Sequence, residues 1–102
     1  MPSITKEDVF SIVKMIPKGK VVTYKYIANI LGTKAYRAIG QILKTNIDPI
    51  ITPCHRVICS SGKIGGYFGN RMYDKIRLLE NEGVEIVKEK NYYRVVSSYI
   101  MF

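Results

Sequence analysis

Near the start of the chain, Val9, Phe10, Ile12, Val13 and Ile16 fall on one broad face at helical spacing. Thr5 is a suitable cap and Asp8 stands three residues on, so residues 5–16 are read as a helix. Pro17-Lys18-Gly19-Lys20 ends it, and Val21-Val22 reads as a short extended piece. Thr23 then caps a second helix over 24–31, with Tyr24, Ile27, Ala28, Ile30 and Leu31 as its apolar set. Gly32 is its stop and Thr33 a further cap, for a third helix over about 34–44. Two short helices joined by a Gly-Thr turn form a helix-turn-helix pattern, with the second as recognition helix. Residues 45–70 carry many prolines, glycines and asparagines and no regular period, which predicts a binding or active-site loop. A last amphipathic helix is predicted over 71–82, with Met72, Ile76, Leu78 and Leu79 apolar and Gly83 as its stop. Residues 84–87 and 94–96 alternate as a small hairpin across 88–91. The fold class is therefore mainly α with small β elements: one helix-turn-helix, winged-helix-like domain over residues 1–102 with an active-site loop.

Charge sharpens this picture. The chain has 102 residues and a formal net charge of +8. Between Asp8 and Asp74 the only acid is Asp48, against ten bases. After Asp74 the signs mix. A positive middle predicts one basic face, which attracts polyanions, although surface lysines that only aid solubility give the same count. No apolar run approaches the ~18 residues of a membrane span, and the acidic start is unlike a signal peptide. The expectation is a monomer in a reducing compartment, cytoplasmic, or nuclear in a eukaryote, without membrane contact.

The candidate chemistry is Pro53-Cys54-His55-Arg56-Val57-Ile58. Cys54 stands beside the only histidine and near an arginine. A base or positive charge favours the reactive thiolate. Chain neighbours often point apart, so a buried Cys54 beside a surface His55 is the competing reading. Cys54, His55 and Cys59 are cramped for a metal and lack a second Cys/His pair, so no metal is expected. A Cys54–Cys59 disulfide is disfavoured in a reducing compartment.

These motifs together resemble the catalytic, DNA-binding domain of the O6-alkylguanine-DNA alkyltransferases, from about Phe10 to Gly83. Pro53-Cys54-His55-Arg56-Val57 is similar to the family's active-site signature. Arg37-Ala38-Ile39-Gly40 resembles its arginine-finger helix, and Asn46, eight residues before the cysteine, its hinge asparagine. Val22-Thr23-Tyr24, Ser60-Ser61-Gly62, Gly65-Gly66-Tyr67 and Leu78-Leu79-Glu80-Asn81-Glu82-Gly83 follow in matching order.

The resemblance implies direct-reversal DNA repair. O6-alkylguanine is flipped out of duplex DNA and its alkyl group passes irreversibly to Cys54, once per molecule. It implies His55 as base through a water, Glu82 as its orienter, Tyr24 as donor to the leaving guanine and Asn46 as holder of the turn. Arg37 would fill the vacated stack. Thr23, Lys34, Ala35, Tyr36, Ala38, Gly40, Gln41 and Ser60 would face the minor groove. Val57, Ile64, Tyr67, Phe68 and Gly69 would line the base pocket. The family's N-terminal domain is expected to be absent. Departures are Tyr36 in place of a small aliphatic residue, Ile47 after Asn46 with proline delayed to Pro49, Phe68 in place of a small polar residue, and a loop one residue longer before the last helix. Three alternatives remain at this stage: an alkyltransferase-like protein that marks the lesion without repair, whose cysteine position is typically tryptophan; a helix-turn-helix regulator; and a cysteine hydrolase.

Overall fold

The computed structural model describes residues 4–46, 51–64 and 72–101. Helix α1 (Lys6–Lys14) opens on a capping box, in which Thr5 Oγ1 accepts from Asp8 N–H and Asp8 Oδ2 accepts from Thr5 N–H, both at 3.1 Å. After the turn at Gly19 comes β1 (Val21–Thr23), whose three residues are all buried. It is the middle strand of a three-stranded parallel sheet, flanked by β2 (Val57–Ile58) and β5 (Ile100–Met101). Successive side chains of a strand point to opposite faces. Val22 and its register partner Val57 therefore enter one core with Val9, Val13, Ile27, Ile39 and Leu43, from α1 and the helix pair. Val21 and Ile58 enter a second core with Ile64, Ile76, Leu79 and Val95. Burial on both faces is what a parallel sheet requires.

Helix α2 (Tyr24–Leu31) starts where β1 ends. Thr23 Oγ1 accepts from Tyr26 N–H at 3.0 Å, so one residue both closes the strand and caps the helix. Gly32 stops α2 in the left-handed region, at φ 68° and ψ 35°, and Thr33 N–H returns to Ala28 O. Helix α3 (Tyr36–Lys44) begins two residues later than the sequence predicts. Thr33 does not cap it. Its hydroxyl accepts from Ala35 N–H at 3.1 Å, and Tyr36 N–H bonds Lys34 O at 2.9 Å. Ala35, at φ −80° and ψ 59°, is thus the centre of an inverse γ-turn. Lys34 and Ala35 lie in the turn, ahead of the recognition helix in which the sequence reading placed them.

The segment read as an irregular loop contains order as well. A single 3₁₀ turn (Cys54–Arg56) leads into β2, short enough to carry no visible period. Helix α4 (Met72–Asn81) and the hairpin of β3 (Ile86–Lys88) and β4 (Tyr93–Val95) follow the predicted order. Strand β5 was not anticipated. Beyond their own pairing, Val95 N–H bonds Gly62 O and Ile64 N–H bonds Tyr93 O, both at 2.9 Å. The hairpin therefore braces the stretch that follows β2.

Candidate active site and nucleic-acid interface

The 3₁₀ turn that carries Cys54 is set up by Pro53, whose ring fixes φ; the residue sits at φ −77° and ψ 69°. Cys54 N–H bonds Thr52 O at 2.8 Å, a second inverse γ-turn. Asn46, buried just past the C-terminus of α3, ties that turn down. Its Nδ2 donates to Thr52 O at 2.7 Å and to Cys54 Sγ at 3.2 Å. One amide thus links the end of α3 to both the backbone and the sulfur of the cysteine turn. Cys54 is 7% exposed and carries no disulfide.

The 3₁₀ turn sends His55 inward, away from the surface position that residue types alone allow: it is 4% exposed. Its Nε2 lies 3.0 Å from Glu82 Oε1, at the end of α4. Arg56 holds that carboxylate from the other side, with Nε at 2.9 Å from Oε1 and Nη2 at 2.5 Å from Oε2, while Nη1 donates to Ile16 O at 2.9 Å. A bidentate guanidinium fixes a carboxylate in orientation as well as position. Gly19 packs against the same residue. Its φ of +88° suits glycine, and a Cβ there would stand 3.2 Å from Glu82 O. Burial pulls the His55 pKa down, against the Glu82 hydrogen bond and charge, so the ring is neutral at pH 7. Burial pushes Glu82 up, yet the hydrogen bonds from Arg56 and His55 outweigh it, and the carboxyl titrates below its usual range.

Lys75 is a residue the sequence reading passed over as part of a mixed-charge tail. Its side chain is buried, at 1% exposure, and Nζ donates to Val57 O at 2.7 Å. Burial lowers its pKa to about 8, with Cys59 and Cys54 pulling the other way. Helical spacing alone cannot separate such a lysine from a solvated one.

An open cavity of about 650 Å³ is lined by Tyr24, Tyr36, Arg37, Gly40, Gln41, Lys44, Cys59 and Ser60. Six of these are residues assigned from sequence; Lys44 and Cys59 are additions. Burial, then the Cys59 and Cys54 sulfurs, raise the Tyr24 pKa, so its hydroxyl keeps its proton at neutral pH. Cys54 itself is not among the lining residues. Lys34 and Tyr36 line a second hollow of about 660 Å³ with Lys25, Asn29, Gly32 and Thr33. Thr23 and Ser60 meet in a third, of about 360 Å³, with Lys25, Tyr26 and Asn29. Neither α2 nor α3 contains an acidic residue, so every charged side chain on these two helices is a lysine or an arginine. Ala38 is exposed on α3 but lines none of these hollows, and Ala35 is half-buried in the turn. Val57 and Ile64 belong to the two cores. Tyr67, Phe68 and Gly69, assigned to the base pocket, lie outside the described residues. Among the described residues no group of three His, Cys, Asp or Glu could hold a metal, and no helix is long and apolar enough to cross a membrane.

Residues 5–84 match the family model described as 6-O-methylguanine DNA methyltransferase, DNA binding domain. A methylated-DNA–protein-cysteine methyltransferase of Saccharolobus islandicus is 53% identical over 79 residues, which are 78% of this chain and 50% of that protein. One from Cricetulus griseus is 41% identical over 83 residues, 80% of this chain and 40% of that protein. The chain thus spans half or less of the length of these relatives. Among solved structures, S. pombe Atl1 in complex with damaged DNA containing O6-carboxymethylguanine superposes with a TM-score of 0.86 at 33% identity, over 95% of this chain and 94% of that one. The Mycobacterium tuberculosis OGT in complex with DNA gives 0.72 at 38% identity, over 80% of this chain and 51% of that one.

Proposed function

The chain belongs to the family of 6-O-methylguanine DNA methyltransferase DNA-binding domains, and from that premise we propose that it repairs O6-alkylguanine in duplex DNA by accepting the alkyl group on Cys54. The target base is rotated out of the stack, and Arg37 takes its place between the neighbouring bases. With Nε2 of neutral His55 donating to Glu82, the ring's basic nitrogen is Nδ1, which takes the Cys54 thiol proton through a water. The thiolate attacks the alkyl carbon. An S–C bond forms, the C–O6 bond breaks, and its electron pair passes to the guanine ring, which collects a proton from Tyr24. The product is a thioether that nothing in this set of residues cleaves, so each molecule acts once. The chemistry uses no metal or cofactor, and the domain acts as a single unit.

The observation that carries this reading is the Cys54 sulfur held by Asn46 at 3.2 Å, with His55 and Glu82 paired at 3.0 Å from the next residue along. A second reading is a protein that binds the lesion without repairing it. It is favoured by the near-complete superposition on Atl1. The presence of Cys54 opposes it.

Intact-protein mass after mixing with duplex DNA holding one O6-methylguanine separates the two. Repair predicts a gain of one methyl mass (~14 Da), one per molecule and absent in Cys54→Ala, because the thiol is the acceptor. Lesion binding with no mass gain in the wild type would establish the damage-sensing reading instead.

A further inference from the structure

Tyr36 is the first residue of α3, directly before Arg37, and it is 41% exposed. It lines both large hollows of the basic face, one holding Tyr24, Arg37 and Cys59, the other Lys25 and Lys34. Tyr36 is therefore shared by two concave sites of about 650 and 660 Å³, each within the ordinary range of ~300–1,000 Å³ for bound small molecules. Its hydroxyl has no hydrogen-bond partner among the described residues. A projecting aromatic ring without a partner, between two cationic hollows, is suited to a polyanion whose repeating units are flat and stack. Proteins that approach the minor groove use such wedges to open a base step.

Resting on the repair reading above, we propose that Tyr36 is a second wedge beside Arg37. It enters the step between the extruded nucleotide and one neighbour, stacks on that neighbour's base, and leaves the neighbour's phosphate to Lys25 and Lys34 in the second hollow. Arg37 fills the space of the lost base; Tyr36 holds the adjoining step open. The site takes a nucleotide of any sequence, because every base offers a π-face.

The test is a cycle of protein and DNA changes. With Cys54→Ala in both backgrounds, so that transfer does not consume the lesion, wild type and Tyr36→Ala are titrated onto duplexes that hold O6-methylguanine with the 5′ neighbour, the 3′ neighbour or neither replaced by an abasic site. Alanine suits an exposed first-turn position, and far-UV circular dichroism checks that the variant folds. The expected result is about tenfold weaker binding of wild type when one particular neighbour loses its base, in line with one stacked base. Tyr36→Ala binds the intact duplex about tenfold more weakly and is indifferent to that abasic site. Tyr36→Phe keeps the wild-type pattern. Equal sensitivity of wild type and Tyr36→Ala to both abasic duplexes overturns the wedge. Methyl transfer to Cys54 is followed by mass on the intact duplex, in the proteins that keep Cys54. Transfer without the coupling rejects the wedge alone. Coupling without transfer keeps the wedge and rejects repair.

Discussion

At the scale of single residues, the unusual expenditure is Lys75. A lysine at 1% exposure whose pKa has fallen to about 8 loses stability relative to a solvated one. The sign follows from proton uptake. Between pH 10.5, where the unfolded chain binds the proton, and about 8, where the folded chain does, acidification favours the unfolded state. Stability therefore rises as pH is raised through this window, and the charged lysine costs about 3 kcal/mol at neutral pH. The Val57 hydrogen bond offsets part of this, and its loss would leave a buried carbonyl worth about 1–3 kcal/mol unsatisfied. Lys75→Met removes both effects. Its unfolding free energy from urea titration at pH 7 is expected within about 2 kcal/mol of wild type, with no rise between pH 8 and 10.5. A wild-type stability that is flat over that window would show Lys75 to be solvated. The position illustrates a general limit of sequence: Asp74, Arg77 and Glu80 surround Lys75 along the chain, and nothing in that local pattern distinguishes the one lysine that turns inward.

At the scale of elements, Thr23 joins two pieces of secondary structure. It pairs with Ile58 in the sheet and caps α2 through Tyr26 N–H. Loss of a threonine cap costs about 1 kcal/mol. In a domain of this size that corresponds to roughly 4–8 °C in melting temperature. Thr23→Ala is expected to show that drop by calorimetry, while Thr23→Ser, which keeps the acceptor, stays near wild type. A drop of the same size in both would assign the effect to the methyl group in the core. This cap was legible in the sequence, as were the α1 capping box and the Gly32 stop, because caps are local and depend on a few consecutive residues. Cys54 and His55 stood out as a candidate pair from residue types, and Asn46 and Glu82 by resemblance to a motif; the structure pairs Asn46 with Cys54 and His55 with Glu82. What sequence could not reveal is non-local. Strand β2 has two residues and becomes a strand only by pairing with β1. The late start of α3 depends on the Thr33 hydroxyl bonding Ala35 N–H, which turns a cap residue into a turn residue. Strand β5 and the hairpin contacts to Gly62 and Ile64 join positions that lie far apart along the chain.

At the scale of the whole molecule, charge is distributed by element. The acids concentrate in α1, α4 and the hairpin segment, while α2 and α3 hold lysine and arginine alone. Three lysines, Lys25, Lys34 and Lys44, rim the hollows on that face. If each neutralises one phosphate, log K for duplex DNA falls with log salt at a slope near −2.7, and affinity drops about 40-fold between 50 and 200 mM salt. Fluorescence anisotropy over that range reads the slope directly. Lys25→Gln and Lys34→Gln are each expected to flatten it by about 0.9, since each removes one released counterion. Arg37→Gln should behave differently. A side chain that fills the base stack releases no counterion from a phosphate, so its loss weakens lesion binding while the slope stays at the wild-type value. A slope that flattens with Arg37→Gln as much as with Lys25→Gln would place the arginine on the backbone and remove it from the stack. The two classes of cation on one face then separate by a single observable: salt reports the lysines that hold the strand, and lesion preference reports the arginine that opens it.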